Sequence, residues 1–407
     1  MLVDTIFARV IKTGDLTVRD WRGNVTRHGD GTGVPVTMTV HDSATARRLF
    51  LNPYLALGEA YMDGRLTVDA GDIARLLEIL GENMGLHPVA DHWLHRAWRL
   101  GRSSMRRALQ YNPVGRARRN AAHHYDLSGE LYGLFLDTDR QYSCAYFEHD
   151  NDSLERAQEQ KKRHIAAKLL IEPGMRVLDI GCGWGGMALY LAQECGAEVV
   201  GLTLSGEQAA YARKRVADAG LESRIDIRLQ DYRDVEGSFD RIVSVGMFEH
   251  VGINHYQTYF NHVRNLLTPS GVALIHSIGR ADGPGVTNPW IAKYIFPGGY
   301  TPAVSEVTPH VERAGLTLTD MEIWRLHYAK TLALWRARFL NARDRAAAIY
   351  DERFCRMWEF YLAGSEMAFR FGGHIVMQLQ LSPDQGAVPL TRDYIGAFKK
   401  QHPVKAN

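Results

Sequence analysis

The chain holds only four cysteines, Cys144, Cys182, Cys195 and Cys355, and no two of them stand in C-x-x-C spacing. That points to neither a disulfide framework nor a cysteine-based zinc site, and it fits a reducing cytoplasm. No apolar run approaches the roughly 18 residues a spanning helix needs, and the N-terminus has no signal-peptide pattern. The expected location is therefore cytoplasmic, with room for attachment to a membrane surface. Neither sign of charge dominates: 48 basic against 46 acidic residues leave a net +2, which points to no partner. A hydrophobic content of 45% and a charged content of 23% are ordinary for a globular protein, and 407 residues favour two domains over one.

The stretch that organises the chain runs from Arg176 to Gly186. Val177 to Ile180 reads as a buried strand, followed by a glycine-rich turn (Gly181, Gly183, Gly185, Gly186) that opens a helix. Glycines there allow a sharp turn and close approach of a ligand, and the helix start offers free N–H groups. Two ligand classes fit poorly. No Gly-Lys-Ser/Thr follows, so this is not a phosphate-binding P-loop, and the next strand ends at Thr203 with no acid before Glu207, which disfavours a dinucleotide. A tight strand-to-helix turn without a ligand stays open at this point.

Residues 1–90 read as a small α+β module. Leu16–Val18 and Val34–Val40 alternate like half-buried strands, and helical spacing appears from Ser43, over Leu55–Met62, and over Asp72–Leu80. Residues 91–122 read as a basic linker. From Arg96 to Arg119 the segment is rich in arginine with Trp93, Trp98 and Met105 interleaved, and no Asp or Glu occurs between Asp91 and Asp126. Such a segment suits an anionic lipid surface, a solvated linker helix or a nucleic acid. The adjacent His123 and His124 do not face one way on a helix, so no metal site is expected. Residues 123–400 then alternate helix and strand, which predicts a mostly parallel, doubly wound sheet. Ser153–Leu170 reads as a helix rich in Lys and Arg, and Ser205 with Gln208 as a capping box. Leu316–Trp324 and Ile375–Leu381 read as antiparallel strands that finish the sheet. Ligands of such sheets sit at the carboxyl ends of the strands, here Asp179, Gly181, Thr203, Gln230, Asp231, Met247–Glu249 and His276. The aromatic insertion Pro289–Gly299 either covers a greasy substrate or simply packs.

Four motifs in one order carry a resemblance: Tyr142–Phe147 (YSCAYF), Val177–Gly186 (VLDIGCGWGG), Gly246–Gly252 (GMFEHVG) and Trp290–Pro297 (WIAKYIFP). Together they resemble the cyclopropane-fatty-acyl-phospholipid synthase family, closely from about Asn120 onward and more loosely before it. The resemblance implies a Rossmann-like class I methyltransferase domain with a mostly parallel seven-stranded sheet. It makes 123–400 catalytic and 1–90 a lipid-binding and dimerisation module. It further implies a methylene added from S-adenosylmethionine to the cis double bond of a phospholipid acyl chain. By carry-over, Tyr142 and Ser143 would meet the methionine end of the cofactor. Gly181 and Gly183 would line its backbone, Thr203 and Gln208 would lie by its ribose, Gln230 and Asp231 would flank its adenine, and Asp179 counts among the cofactor-binding residues. In the family the base is a bound bicarbonate, whose holders match Cys144, Glu249, His276, Tyr328 and the backbone of Ile278. The implied partners are an unsaturated phospholipid in an anionic membrane surface and a second copy of the chain, with no nucleic acid. The implied place is the inner face of the membrane. Family members often carry a cysteine in the C-terminal helix where this chain has Ser365, so a thiol nucleophile is not available there.

Three alternatives stand beside this reading. The same apparatus could methylate the alkene without closing a ring. A small-molecule O- or N-methyltransferase would not need the basic segment or the aromatic insertion. An inactive membrane-binding module would have lost the glycine turn or Glu249, and both are present.

Overall fold

The structure, a computed structural model, describes residues 2–84 and 129–404. The basic segment 92–125 and the pair His123–His124 lie outside the described residues. The first elements are α1 (Leu2–Val10), β1 (Leu16–Arg19), β2 (Val25–His28), β3 (Val36–Val40), α2 (Ser43–Leu51), α3 (Pro53–Met62), β4 (Leu66–Ala70) and α4 (Ile73–Met84). Next come α5 (Gly129–Phe135), α6 (Leu154–Leu169), β5 (Arg176–Ile180), α7 (Gly186–Cys195), β6 (Glu198–Thr203), α8 (Gly206–Asp218), β7 (Ile225–Leu229), β8 (Phe239–Val245), α9 (Tyr256–Leu266) and β9 (Leu267–Arg280). The last are α10 (Pro289–Tyr294), α11 (Val304–Arg313), β10 (Thr317–Trp324), α12 (His327–Asn341), α13 (Arg343–Ile349), α14 (Glu352–Arg370), β11 (His374–Ser382) and α15 (Asp393–Gln401). Among the described residues no helix is long and apolar enough to cross a membrane.

Packing groups these elements into two compact units whose boundaries differ from the order of the sequence. One comprises 2–84, 286–297 and 329–374; the other comprises 129–285, 298–328 and 375–404.

In the first unit a four-stranded sheet of order β2-β1-β3-β4 is covered by helices. Leu16, Val18, Val36, Met38 and Val40 point into its core and meet Leu76 and Ile79 of α4 and Ala363 of α14. Asp42 caps α2 by accepting the Thr45 N–H at 2.7 Å, and Pro53 starts α3 where its missing N–H costs nothing. The aromatic insertion belongs here. Asn288 caps α10, and Trp290 is buried against Phe360 with ring centroids 4.8 Å apart. Its indole N–H donates to the Met62 sulfur at 3.2 Å. Glu59 of α3, itself buried, accepts from Lys293 at 2.7 Å and from the Tyr294 hydroxyl at 2.9 Å, and pairs with Arg48. Packing, not exposure to a ligand, thus accounts for Trp290.

The second unit is built on a seven-stranded sheet of order β10-β11-β9-β8-β5-β6-β7. Strands β9, β8, β5, β6 and β7 run parallel, and β10 and β11 are antiparallel. Apolar side chains cover both faces: Phe239, Ile242, Tyr259 and Phe260 belong to one cluster, Ile165, Leu189, Leu191 and Val216 to another. The expected doubly wound α/β fold is the one observed.

Helix α6 forms where the sequence places a helix rich in Lys and Arg, but its charged side chains are buried. It has the composition of a solvated helix, yet Gln158, Gln160, Lys161, Lys162, Arg163, His164 and Lys168 are all buried. Buried charge needs partners. Lys162 meets Asp139 at 2.8 Å, Arg163 meets Glu148 at 2.7 Å, and Lys168 meets Asp320 at 2.9 Å and Glu322 at 3.0 Å. His164 faces Glu322 at 2.8 Å; burial alone would raise the Glu322 carboxyl, but its hydrogen bond to His164 and the Lys168 ammonium hold it well below the usual carboxylate range.

The packing of the insertion is open to test. A Cβ on Gly58 would run into the Trp290 indole. Gly58→Ala is expected to lose about 1–3 kcal/mol to overpacking, against at most about 1 kcal/mol regained from helix propensity. Urea unfolding measures the difference, and a net gain in stability would contradict this packing.

Candidate active site

The cofactor half of the site grows from the β5 turn. Gly181 has φ +86° and Gly183 φ +54°, both in the region that favours glycine. The Gly181 and Cys182 N–H groups donate to the Leu202 carbonyl at 3.0 and 2.8 Å, which folds the turn onto the end of β6. A Cβ at Gly181 would press on Met247 at 2.9 Å, whereas one at Gly183 would meet none of the described residues within 4 Å. The turn therefore leaves open space at its tip. Asp179, the last-but-one residue of β5, is buried, and its Oδ2 has no hydrogen-bond partner among the described residues. Burial pushes its carboxyl up to about 7, opposed by the Lys161 ammonium.

The neighbouring strand ends are tied to one another. The Thr203 hydroxyl donates to Gln208 Oε1 at 2.9 Å and accepts the Ser205 N–H at 3.1 Å. Ser205 does cap α8 by accepting the Gln208 N–H at 3.3 Å. The reciprocal half of the expected capping box is absent because the Gln208 side chain goes to Thr203 instead. After β7, Gln230 donates to the Asp234 carbonyl at 2.8 Å. Asp231 is buried and held by Arg233 through Nε at 2.9 Å, Nη2 at 2.7 Å and the backbone N–H at 3.0 Å. Its carboxylate is thus fixed in place before any ligand arrives.

Tyr142, Ser143 and Cys144 lie in an irregular segment after α5. The Tyr142 ring stands edge-on to Tyr132 at 5.1 Å and to Phe135 at 6.2 Å. Ser143 and Cys144 are buried, and the Cys144 thiol donates to the Ala145 carbonyl at 3.3 Å. Beneath them Lys161 donates to Ser143 Oγ at 2.7 Å.

The second half of the site lies at the ends of β8 and β9. The Glu249 Oε1 accepts the Ile278 N–H at 2.7 Å. Its Oε2 is buried without a hydrogen-bond partner among the described residues, and burial pushes the carboxyl up to about 7. His276, two residues before Ile278, shares its strand face. Burial, reinforced by the charges of Lys161 and Lys168, pushes the ring down to about 3, so it is neutral. Gln378 Nε2 lies 3.1 Å from its Nδ1, which places the ring proton on Nε2. Trp324 stands edge-on to the same ring at 5.0 Å. Tyr328 is buried in the first turn of α12.

The structure thus joins Glu249 with Ile278 and Thr203 with Gln208, and the charge of Lys161 acts on Asp179, Cys144 and His276. Lys161, Gln158, Gln378 and Trp324 were not among the sequence candidates. No short-range pattern marks them: Lys161 and Gln158 reach back 15–20 residues to Gln141 and Ser143, and Gln378 lies 102 residues from His276.

Set beside known proteins, this arrangement has close counterparts. The family profile described as Mycolic acid cyclopropane synthetase matches residues 114–379, and one described as a domain of unknown function matches residues 2–86. The cyclopropane-fatty-acyl-phospholipid synthase of Escherichia coli is 41% identical over 83% of this chain and 85% of its own. A tuberculostearic acid methyltransferase of Mycobacterium tuberculosis is 39% identical over 81% and 79%. The crystal structure of the mycolic acid cyclopropane synthase CmaA1, complexed with SAH and CTAB, covers 67% of this chain and 99% of its own at 34% identity and a TM-score of 0.62. The parallel sheet with its strand-end glycine turn is that of a class I methyltransferase dependent on S-adenosylmethionine. Within that class, the chain belongs to the mycolic acid cyclopropane synthetase family.

Among the described residues, the open space at Gly183 and the unpartnered Asp179 oxygen suit a cofactor that brings an ammonium group. With its carboxyl at about 7, Asp179 is mostly neutral at pH 6 and mostly ionised at pH 8. Affinity for S-adenosylhomocysteine is expected to rise about tenfold over that interval, and Asp179→Asn to flatten the rise. Calorimetric titration at both pH values checks this; an equal rise in the variant would contradict it.

Proposed function

We propose that this enzyme adds a methylene from S-adenosylmethionine across the cis double bond of an unsaturated phospholipid acyl chain, forming a cyclopropane. The observation that carries the reading is the Glu249 carboxyl, with one oxygen on the Ile278 N–H and the other buried and unpartnered among the described residues. Resemblance to the Escherichia coli enzyme supports the choice of substrate.

S-adenosylmethionine, when bound, supplies an electrophilic methyl, and an alkene that takes it is left with a cationic carbon that must lose a proton from the new methyl to close a ring. The chain's own groups serve that requirement. Buried Cys144 and His276 and the low exposure of Tyr328 keep water from trapping a cation. His276 and Tyr328 bring donors and Glu249 an acceptor, while the Ile278 N–H and the Cys144 thiol, now donating to Glu249 Oε1 and the Ala145 carbonyl, would have to turn from those partners to join them. That mixture suits bicarbonate, which has oxygens to accept and one proton to donate, and which would supply the base. A carboxyl poised near 7 can accept that proton's hydrogen bond or hold a proton itself.

A peripheral position on the inner face of an anionic membrane, and a homodimer, complete the reading. The arginine-rich composition of 92–125 supports the first. A second reading is favoured by the tuberculostearic acid methyltransferase relative: methylation of the same double bond to give a methylene- or methyl-branched chain.

Mass spectrometry of vesicles bearing cis-monounsaturated phospholipid, incubated with the pure protein and S-adenosylmethionine and then mildly hydrogenated, separates the readings. A gain of CH2 that resists hydrogenation is expected. A CH2 gain that then takes up hydrogen would favour the branched product. Glu249→Ala is expected to abolish the gain while still binding S-adenosylhomocysteine; equal loss of both would make Glu249 a structural residue.

A further inference from the structure

Lys161 sits in the middle of α6 with no exposed surface. Its neighbours on the helix are ordinary buried ions: Lys162 and Lys168 each reach carboxylates within 3.0 Å. Lys161 does not. Among the described residues no carboxylate lies within ion-pair distance of it. Its Nζ donates instead to two neutral acceptors, Gln141 Oε1 at 2.7 Å and Ser143 Oγ at 2.7 Å. An ammonium has three N–H bonds, so one is left over.

The same helix face also grips the backbone of that segment. Gln158, three residues before Lys161, donates to the Ser143 carbonyl at 3.0 Å and to the Gln141 carbonyl at 3.3 Å. Asp137 accepts the Gln141 N–H at 2.8 Å, and the Gln141 side-chain amide donates to Asp139 at 3.0 Å. Tyr142 is therefore bracketed on both sides. The segment is neither helix nor strand, so no ladder fixes it; these side-chain bonds do. A buried cation is a costly way to hold a loop, and an apolar residue of similar length would fill the same space. What the apolar residue could not supply is the tether to Ser143 and a positive charge that faces the Asp137 and Asp139 carboxyls and acts on Asp179 and His276.

We propose that Lys161 is a positioning residue for S-adenosylmethionine, holding Ser143 and the backbone around Tyr142 in the geometry that receives the methionine end of the cofactor. This rests on the reading of Tyr142 and Ser143 as cofactor contacts. Lys161 touches no reacting atom; it acts through the segment it tethers.

Titration of S-adenosylhomocysteine into the unaltered protein sets the reference, and absence of binding there would overturn the cofactor reading itself. Lys161→Met keeps the length of the side chain and removes the tether and the charge. It is expected to melt within a few degrees of the unaltered protein and to bind S-adenosylhomocysteine about tenfold more weakly. The KM for S-adenosylmethionine is expected to rise by a similar factor, while that for vesicles of cis-monounsaturated phospholipid stays within about twofold. Binding within about twofold of the reference, or equal rises in both KM values, would overturn the proposal. Should Lys161→Met not fold, Gln141→Leu leaves the lysine one tether short and is expected to weaken S-adenosylhomocysteine about threefold; unchanged affinity there overturns the proposal equally.

Discussion

Charge buried along α6 is the constraint on which the catalytic unit depends. A helix cannot place Lys161, Lys162, Arg163, His164 and Lys168 out of water unless each finds a partner. Breaking one such pair leaves an uncompensated ion, at a cost of roughly 3–5 kcal/mol. The partners therefore have fixed places. Asp139 and Glu148 flank the irregular segment that carries Tyr142–Cys144, while Asp320 and Glu322 stand on β10 at the far edge of the sheet. The helix locks both to the same frame. A core of aliphatic side chains could have filled the volume, but it would not have specified which loop residue lies where.

From that frame the two halves of the site follow. Among the described residues, the β5 turn contributes space and an unpartnered carboxyl oxygen on Asp179, and the ends of β8 and β9 contribute a second one on Glu249. Both carboxyls sit near 7 because burial disfavours their charge. The histidine between β8 and β11 is kept neutral by the same burial and by the cations of α6. A low-dielectric site that holds two carboxyls near neutrality and a histidine uncharged is suited to a cationic cofactor and to handling a proton without free water.

The parts of this picture that are local were legible in the sequence. The glycine turn reads from Val177–Gly186 because strand, turn and helix start are consecutive, and the parallel sheet reads from the alternation of helix and strand along the chain. The closing strands β10 and β11 read from alternation. What could not be read is long-range. The composition of α6 is that of an exposed helix, and its partner Glu322 is 154 residues from Lys168. Strand β2 was invisible because most of its side chains are not buried, so no alternation marks it. The insertion around Trp290 read equally well as a lid or as packing until Gly58 and Met62, more than 200 positions earlier, were seen to receive the indole. At Gln208 a correct local rule predicted the helix cap, but a neighbouring hydroxyl, Thr203, took the side chain.

In the proposed reaction the site both delivers a methyl group to an alkene and takes one proton back from it. Supplying S-adenosylmethionine with a trideuterated methyl, and weighing the acyl chains formed on cis-monounsaturated phospholipid vesicles, tests it most directly. Ring closure by loss of a methyl proton predicts saturated-ring chains that keep two deuterons, with the third released to water. Chains that keep all three would mean that the methyl is transferred and never deprotonated, and would contradict the account.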